Sequence, residues 1–186
     1  GYPLWDPQPA SDLPLEYRKQ GVRIGDVGFI TPNGGFYFLF NICVPSTDPI
    51  NSQNGVPDDF EPLAINETRS VRRADVMFSK GDTVSTKNVT KRTVTASIET
   101  DGLILIIRAA PIDGAIDIHI SCSSETGAAL LLPKGASSAD LKPRILFEDY
   151  SRKHGASWFA FLKKEGWSTA DLQLYLLTGC VKASAW

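Results

Sequence analysis

Asp117, His119 and Ser121 stand two residues apart in a segment whose alternate positions, Ile116, Ile118, Ile120 and Cys122, are apolar. A strand with that alternation puts a carboxylate, an imidazole and a hydroxyl on one polar face, followed by Ser123, and the apolar set on the other. A carboxylate that orients an imidazole, which in turn activates a hydroxyl, is the arrangement of nucleophilic hydrolysis. Side chains two apart on a strand project in parallel about 7 Å apart, too far for a direct relay, and no Gly-x-Ser-x-Gly elbow is present. The face reads first as a solvated strand surface, and a small hydrolase using His119 is the alternative it leaves open.

Other candidate chemistry is weaker. Cys122 or Cys180 could pair with His119 or His154, but Cys122 points away from His119, and small buried cysteines are the simpler reading. Two histidines and three scattered cysteines, Cys43, Cys122 and Cys180, include no Cys-x-x-Cys or His-x-x-x-His spacing, so neither a metal nor another cofactor is expected. Asp48, Asn51 and Asn54 could offer oxygens to calcium, yet they lack the dense alternation and distal glutamate of a helix-loop-helix site. Gly25-Asp26-Val27-Gly28 resembles a phosphate loop only in its glycines, because strand residues follow it and no helix opens there. Those glycines are expected to permit a bulge or close packing by an aromatic ring, with Asp26 capping the hairpin or accepting buried backbone hydrogen bonds rather than acting as a base.

The elements that must position these groups follow from the pattern. Gly21 to Ile30 and Phe36 to Val44 read as two strands around Thr31-Pro32-Asn33-Gly34-Gly35. Before them, Pro3, Pro7, Pro9 and Pro14 predict an extended arm over residues 1–20 and argue against a helix. Pro45 to Pro62, dense in Pro, Asp, Asn, Ser and Gly, predicts a long surface loop. Arg69 to Phe78 and Thr83 to Glu99 read as strands joined through Ser79-Lys80-Gly81-Asp82. Leu103 to Ile107 reads as a central strand turning through Pro111-Ile112-Asp113-Gly114 into Ala115 to Ser123, and Ala128 to Leu132 as a short strand. Ser137-Ser138-Ala139-Asp140 then looks like a capping box opening one or two helices over residues 139–164, with Gly155 as a weak point or a break. Trp158, Phe161 and Leu162 form their core stripe, and the basic and aromatic residues Arg152, Lys153, Phe159, Lys163, Lys164 and Trp167 surround it. Leu172 to Val181 reads as a final strand. The fold class expected is α+β: antiparallel hairpins forming a sheet or bent sandwich, the C-terminal helical segment packed on one face, and the final strand returning to the sheet.

The chain has 186 residues, 42% of them hydrophobic and 22% charged, and a net charge of -2. That length suits a single domain able to bury about 70% of its unfolded surface. The small net charge argues against bulk attraction to nucleic acid or to an anionic membrane. Residues 1–65 carry three basic against eight acidic side chains, whereas residues 66–92 carry seven basic against three acidic. The second stretch either pairs with the first or forms a basic patch. An odd number of cysteines fits reduced thiols and a cytoplasmic location. The triplets Asn66-Glu67-Thr68 and Asn88-Val89-Thr90 would matter only after secretion.

Tyr2-Pro3-Leu4-Trp5, Gly21 to Gly28, Gly35 to Ile42, and Leu174-Tyr175-Leu176-Leu177-Thr178-Gly179-Cys180-Val181-Lys182 with Trp186 carry a resemblance. They are similar to motifs of an uncharacterised family of proteins from mushroom-forming (basidiomycete) fungi. There the N-terminal motif reads Gly-Val-x-Ile-Gly-Asp-Val-Gly and the C-terminal one Leu-Tyr-Leu-Val-Thr-Gly-Cys-x-Lys. The resemblance implies the N-terminal module of a longer protein and transfers no activity and no catalytic residue.

The functional expectation is a non-enzymatic intracellular recognition or regulatory module. Its partner would be another protein or another domain of the same chain, and no nucleic acid is expected. Asp48, Asn51, Asn54, Asp58 and Asp59 of the loop, with Arg72, Arg73, Lys87, Lys91 and Arg92 of the basic strands, are the candidate contact residues. The alternatives are a membrane-acting or pore-forming effector that inserts the strand from Thr83 to Glu99, and the hydrolase using the Asp117, His119, Ser121 face.

Overall fold

The computed structural model describes residues 4, 6–85, 89–93, 104–108, 117–122, 129–170 and 172–185, and within 89–93, 104–108 and 117–122 it describes the backbone alone. The chain is an α+β protein whose backbone separates into two compact units, residues 1–74 with 138–181, and residues 75–137 with 182–186.

In the first unit the opening hairpin forms as expected. Strand β1 (Asp26–Ile30) pairs antiparallel with β2 (Phe36–Asn41), and β10 (Tyr175–Leu176) lines the other side of β1. The register steps from Val27↔Phe40 to Gly28↔Phe38, which leaves Leu39 as an inserted residue in a β-bulge. Above the bulge Phe36 and Phe38 face one way, and beyond it Phe40 joins Leu39 on the opposite side. The hairpin therefore serves two cores. Phe38 packs with Leu13, Tyr17 and Ile50, while Val27, Phe29, Leu39, Phe40 and Ile42 pack with Leu141, Phe147, Tyr150, Trp158, Phe161 and Leu162.

The first of these cores overturns two expectations. The arm contains helix α1 (Leu15–Gln20), because Leu15-Glu16-Tyr17-Arg18-Lys19-Gln20 lies just past the last proline and consists mostly of good helix formers. Gly21, with φ of 68°, ends it as its N–H donates to the Tyr17 carbonyl. The loop after Val44 contains helix α2 (Pro49–Asn54), capped by the Asp48 carboxylate accepting from the Ile50 N–H at 3.1 Å, opened by Pro49 and closed at Gly55 with φ of 77°.

The second core rests on α4 (Ile145–Lys164), a continuous helix about 30 Å long. Its buried residues Phe147, Tyr150, His154, Trp158, Phe161 and Leu162 share one face. Gly155 neither breaks nor weakens it visibly, since tertiary burial on both sides carries the helix through. At its end Gly166 adopts φ of 83°, the Trp167 N–H donates to the Leu162 carbonyl and the Gly166 N–H to that of Lys163. This Schellman ending aims Trp167 at Phe29 and Tyr37, with ring centroids 5.1 and 5.0 Å away.

The helix starts later than its sequence indicates. Residues expected to open it form strand β9 (Ala136–Leu141). The Leu141 and Lys142 N–H groups donate to the carbonyls of Thr178 and Ser70, and Pro143 keeps its predecessor out of the helical region. A short helix α3 (Glu67–Ser70), capped by Asn66, leads into β3 (Val71–Phe78). The expected final strand is split: β10 belongs to the hairpin sheet, and β11 (Gly179–Ala183) joins a second sheet of order β11-β9-β3.

Of the residues expected to make one strand from Thr83 to Glu99, the described ones are strand, in two stretches of the second unit, and residues 86–88 and 94–99 lie outside the described residues. There β4 (Asp82–Ser85) pairs with β8 (Ala129–Leu132), and β5 (Val89–Thr93) pairs with β7 (Asp117–Cys122). Strand β6 (Ile104–Arg108) also pairs with β7, so β7 stands between β5 and β6, and β6, expected to be a central strand, has one partner strand among the described residues.

Two glycines separate packing from propensity. A Cβ on Gly28 would lie 2.1 Å from the Tyr37 carbonyl oxygen and 2.6 Å from Phe36 Cζ, whereas one on Gly155 would meet nothing within 4 Å. Gly28→Ala is expected to cost about 3 kcal/mol in urea unfolding, and Gly155→Ala to add about 0.5–1 kcal/mol; a neutral Gly28→Ala would contradict this packing.

Candidate functional site

Asp26 is the most unusual polar residue in the first unit. It is fully buried at the start of β1, and donors from three places converge on it. The Tyr17 hydroxyl donates to Oδ2 at 2.7 Å, the Arg23 N–H to the same oxygen at 2.6 Å, and the Asn41 Nδ2 to Oδ1 at 2.7 Å. Burial pushes the carboxyl up to about 6 against the pull of those three donors. Burial together with the Asp26 charge pushes the Tyr17 hydroxyl far above its ordinary value, so it stays a donor. The Arg23 guanidinium lies 5.3 Å from the Tyr17 ring centre.

Asn41 and Asn51 extend this centre. Asn41 Nδ2 also donates to the Ile24 carbonyl, and its Oδ1 accepts from the Cys43 N–H. Asn51 Oδ1 accepts from the Asn41 N–H at 2.7 Å, while its Nδ2 reaches the carbonyls of Asn41, Val44 and Pro45. Asn54 Nδ2 donates to the carbonyls of Phe38 and Leu39 beside the bulge. Asp48, Asn51 and Asn54 therefore serve backbone groups and do not direct their oxygens to one point where a calcium ion could sit. The Cys43 thiol, raised to about 12 mainly by burial, is a poor nucleophile.

A second constellation lies along α4. His154 is buried with its ring 4.4 Å from that of Tyr150, and its Nδ1 stands 3.6 Å from an Asp59 carboxylate oxygen. Ser157, then His154, hold the Asp59 carboxyl below its usual range. Carboxylate, imidazole and hydroxyl thus meet in space although the sequence separates Asp59 from the other two by nearly a hundred positions. The Ser157 hydroxyl donates to the His154 carbonyl at 2.8 Å, however, and not to the ring. The arrangement ties residues 58–61 to the helix: the Tyr150 hydroxyl donates to the Glu61 carbonyl, and Lys153 and Lys164 pair with Glu61 and Asp58.

Comparison with family models, with curated proteins and with solved structures finds no match to this chain.

The remaining candidates fall in two places. Arg73 pairs with Glu67 at 2.7 Å, and Arg72 lies 3.9 Å from Asp140, so these arginines find local partners, and the acidic residues 58–61 find theirs on α4. Asp117, His119 and Ser121 do occupy alternate positions of a real strand, β7, paired at His119 with Arg92 and Ile106. Their side chains, like those of Lys91, Arg92 and Cys122, lie outside the described residues, as does Lys87 altogether. Asn66 is exposed and uses its Oδ1 to cap α3, accepting from the Arg69 N–H. Among the described residues no three His, Cys, Asp or Glu gather as metal ligands, and no helix is long and apolar enough to cross a membrane.

The buried polar centre was missed in sequence because Tyr17, Asn41 and Asn51 stand 9, 15 and 25 positions from Asp26. Its one signal was an acid inside an otherwise apolar strand. The raised carboxyl gives a signed prediction. Between pH 4 and 6 the folded chain holds a proton on Asp26 that the unfolded chain has lost, so this contribution to stability is fully present below about 4 and is lost as pH rises through about 6. The wild type minus Asp26→Asn stability difference should fall over that window by up to about 3 kcal/mol. Tyr17→Phe should cost about 1–3 kcal/mol at neutral pH and less at pH 4.5; equal costs at both would show that Asp26 does not change protonation there.

Proposed function

We propose that this chain is a non-enzymatic recognition or regulatory module, carried by a fungal multidomain protein and acting through a protein partner or a neighbouring domain. What carries this reading is the closure of its polar centre. Asp26, Asn41 and Asn51 are shut away from solvent with their hydrogen-bonding atoms engaged by the scaffold. A general acid or base needs an approach for its substrate, and these groups have none. The imidazole of His154 is likewise buried against Tyr150 and engaged by an acid at the protein surface. Among the described residues these buried chemistry-bearing side chains hold the fold, which favours the surface as the carrier of function.

The surface itself supports binding. Ile145 and Leu146 stand exposed at the start of α4, directly after the basic pair Lys142 and Arg144. Exposed apolar residues rimmed by charge mark contact surfaces more often than reaction sites.

Two measurements test the reading together. Crosslinking in extract of the source organism, followed by titration with the purified partner, should give a saturable complex of fixed stoichiometry. Broad hydrolase screening should give no turnover above a blank. Turnover that rises in proportion to protein concentration and disappears in His154→Gln or His119→Ala would replace the module with an enzyme.

A further inference from the structure

Where β9 ends and α4 begins, the first unit has an open cleft of about 380 Å³ lined by Arg72, Asp140, Leu141, Lys142 and Arg144. Lys142 is fastened at its rim, its Nζ donating to the Arg69 carbonyl at 3.2 Å. The single acid, Asp140, meets Arg72 at 3.9 Å with the two side chains 43% and 75% exposed. A contact that long and that wet holds little energy, so Arg72 is free to exchange partners. Arg144 has no carboxylate within ion-pair distance among the described residues. Ile145, 54% exposed, and Leu146, 40% exposed, follow Arg144 directly in the chain as α4 begins.

We propose that this cleft binds an acidic, extended peptide segment of a partner protein that also presents an apolar side chain to Ile145 and Leu146. The inference rests on the recognition-module reading and names its partner's chemistry. Guanidinium groups take carboxylates in bidentate pairs, and Arg72 and Arg144 offer two of them around one opening. Asp140 selects among anions. It repels phosphate and carboxylate alike, but an extended peptide brings amide N–H groups beside its carboxylates, and Asp140 can accept from these. The apolar pair points the same way, because a hydrophobic anchor beside charge is typical of peptide contacts and adds little to a nucleic-acid backbone contact.

The probe is a short fluorescein-labelled peptide of alternating glutamate and leucine, followed by anisotropy at about 0.15 M ionic strength. Saturable binding is expected, weakened about tenfold or more by the double reversal Arg72→Glu with Arg144→Glu. Ile145→Ser, a change at an exposed position, should weaken it without altering net charge, and Lys19→Glu on α1 should leave it unchanged. Absence of saturable binding, equal weakening by Lys19→Glu, or preferential displacement by a single-stranded oligonucleotide or by phosphatidylserine vesicles would overturn the assignment. A purified-partner complex that survives the double reversal removes the cleft and keeps the module, whereas turnover in the substrate screen removes the module itself.

Discussion

The burial of the Asp26 carboxylate organises the first unit. A charge taken out of water is tolerable only when donors replace the water, and these come from α1, from the turn before β1, and from the end of β2. Each donor fixes a different piece of chain. Tyr17 docks the helix of the N-terminal arm, the Arg23 N–H fixes the entry to the hairpin, and Asn41 passes the constraint to Asn51 and so to α2. One acid thereby joins segments whose own propensities are modest, since helices of six residues are marginal alone.

The opposite face of the hairpin is held by different physics. Phe40 meets Phe60, Trp158 and Phe161 edge-on at centroid distances near 6 Å, and the α4 helix lies across them. Polar contacts there are peripheral: the links from residues 58–61 to Lys153, His154 and Lys164 are mostly exposed and act as fastenings around an apolar core. The first unit thus has a polar seam on one side of its sheet and an aromatic one on the other.

Much of this was legible in the sequence. The hairpin, the close packing at Gly28, the acceptor role of Asp26 and the core stripe of Trp158, Phe161 and Leu162 all follow from local pattern. What was misread shows why. Asp48-Pro49 with Gly55 is a complete start and stop signal for a helix, yet the density of turn formers between them obscured it. Ser137 to Asp140 carries a capping pattern, but backbone partners at Ser70 and Thr178 claim the adjoining residues for a sheet, and those partners are distant in the chain. The clustering of Asp59 with His154 and Ser157, and of Arg72 with Asp140 and Arg144, depends wholly on such distant pairings. No spacing along the chain encodes them.

The inserted Leu39 makes the two ends of β2 out of step with each other. Before it, alternate residues address the α1 and α2 side, and after it the phase is reversed toward α4. Phe38 and Phe40, two apart in the chain, serve different layers only because of the extra residue: were Leu39 drawn into a regular ladder it would pair with Val27, and Phe40 would turn into the layer of Phe38. The bulge is thereby a phase switch as well as a scaffold feature, and it sets the two layers of the hairpin together.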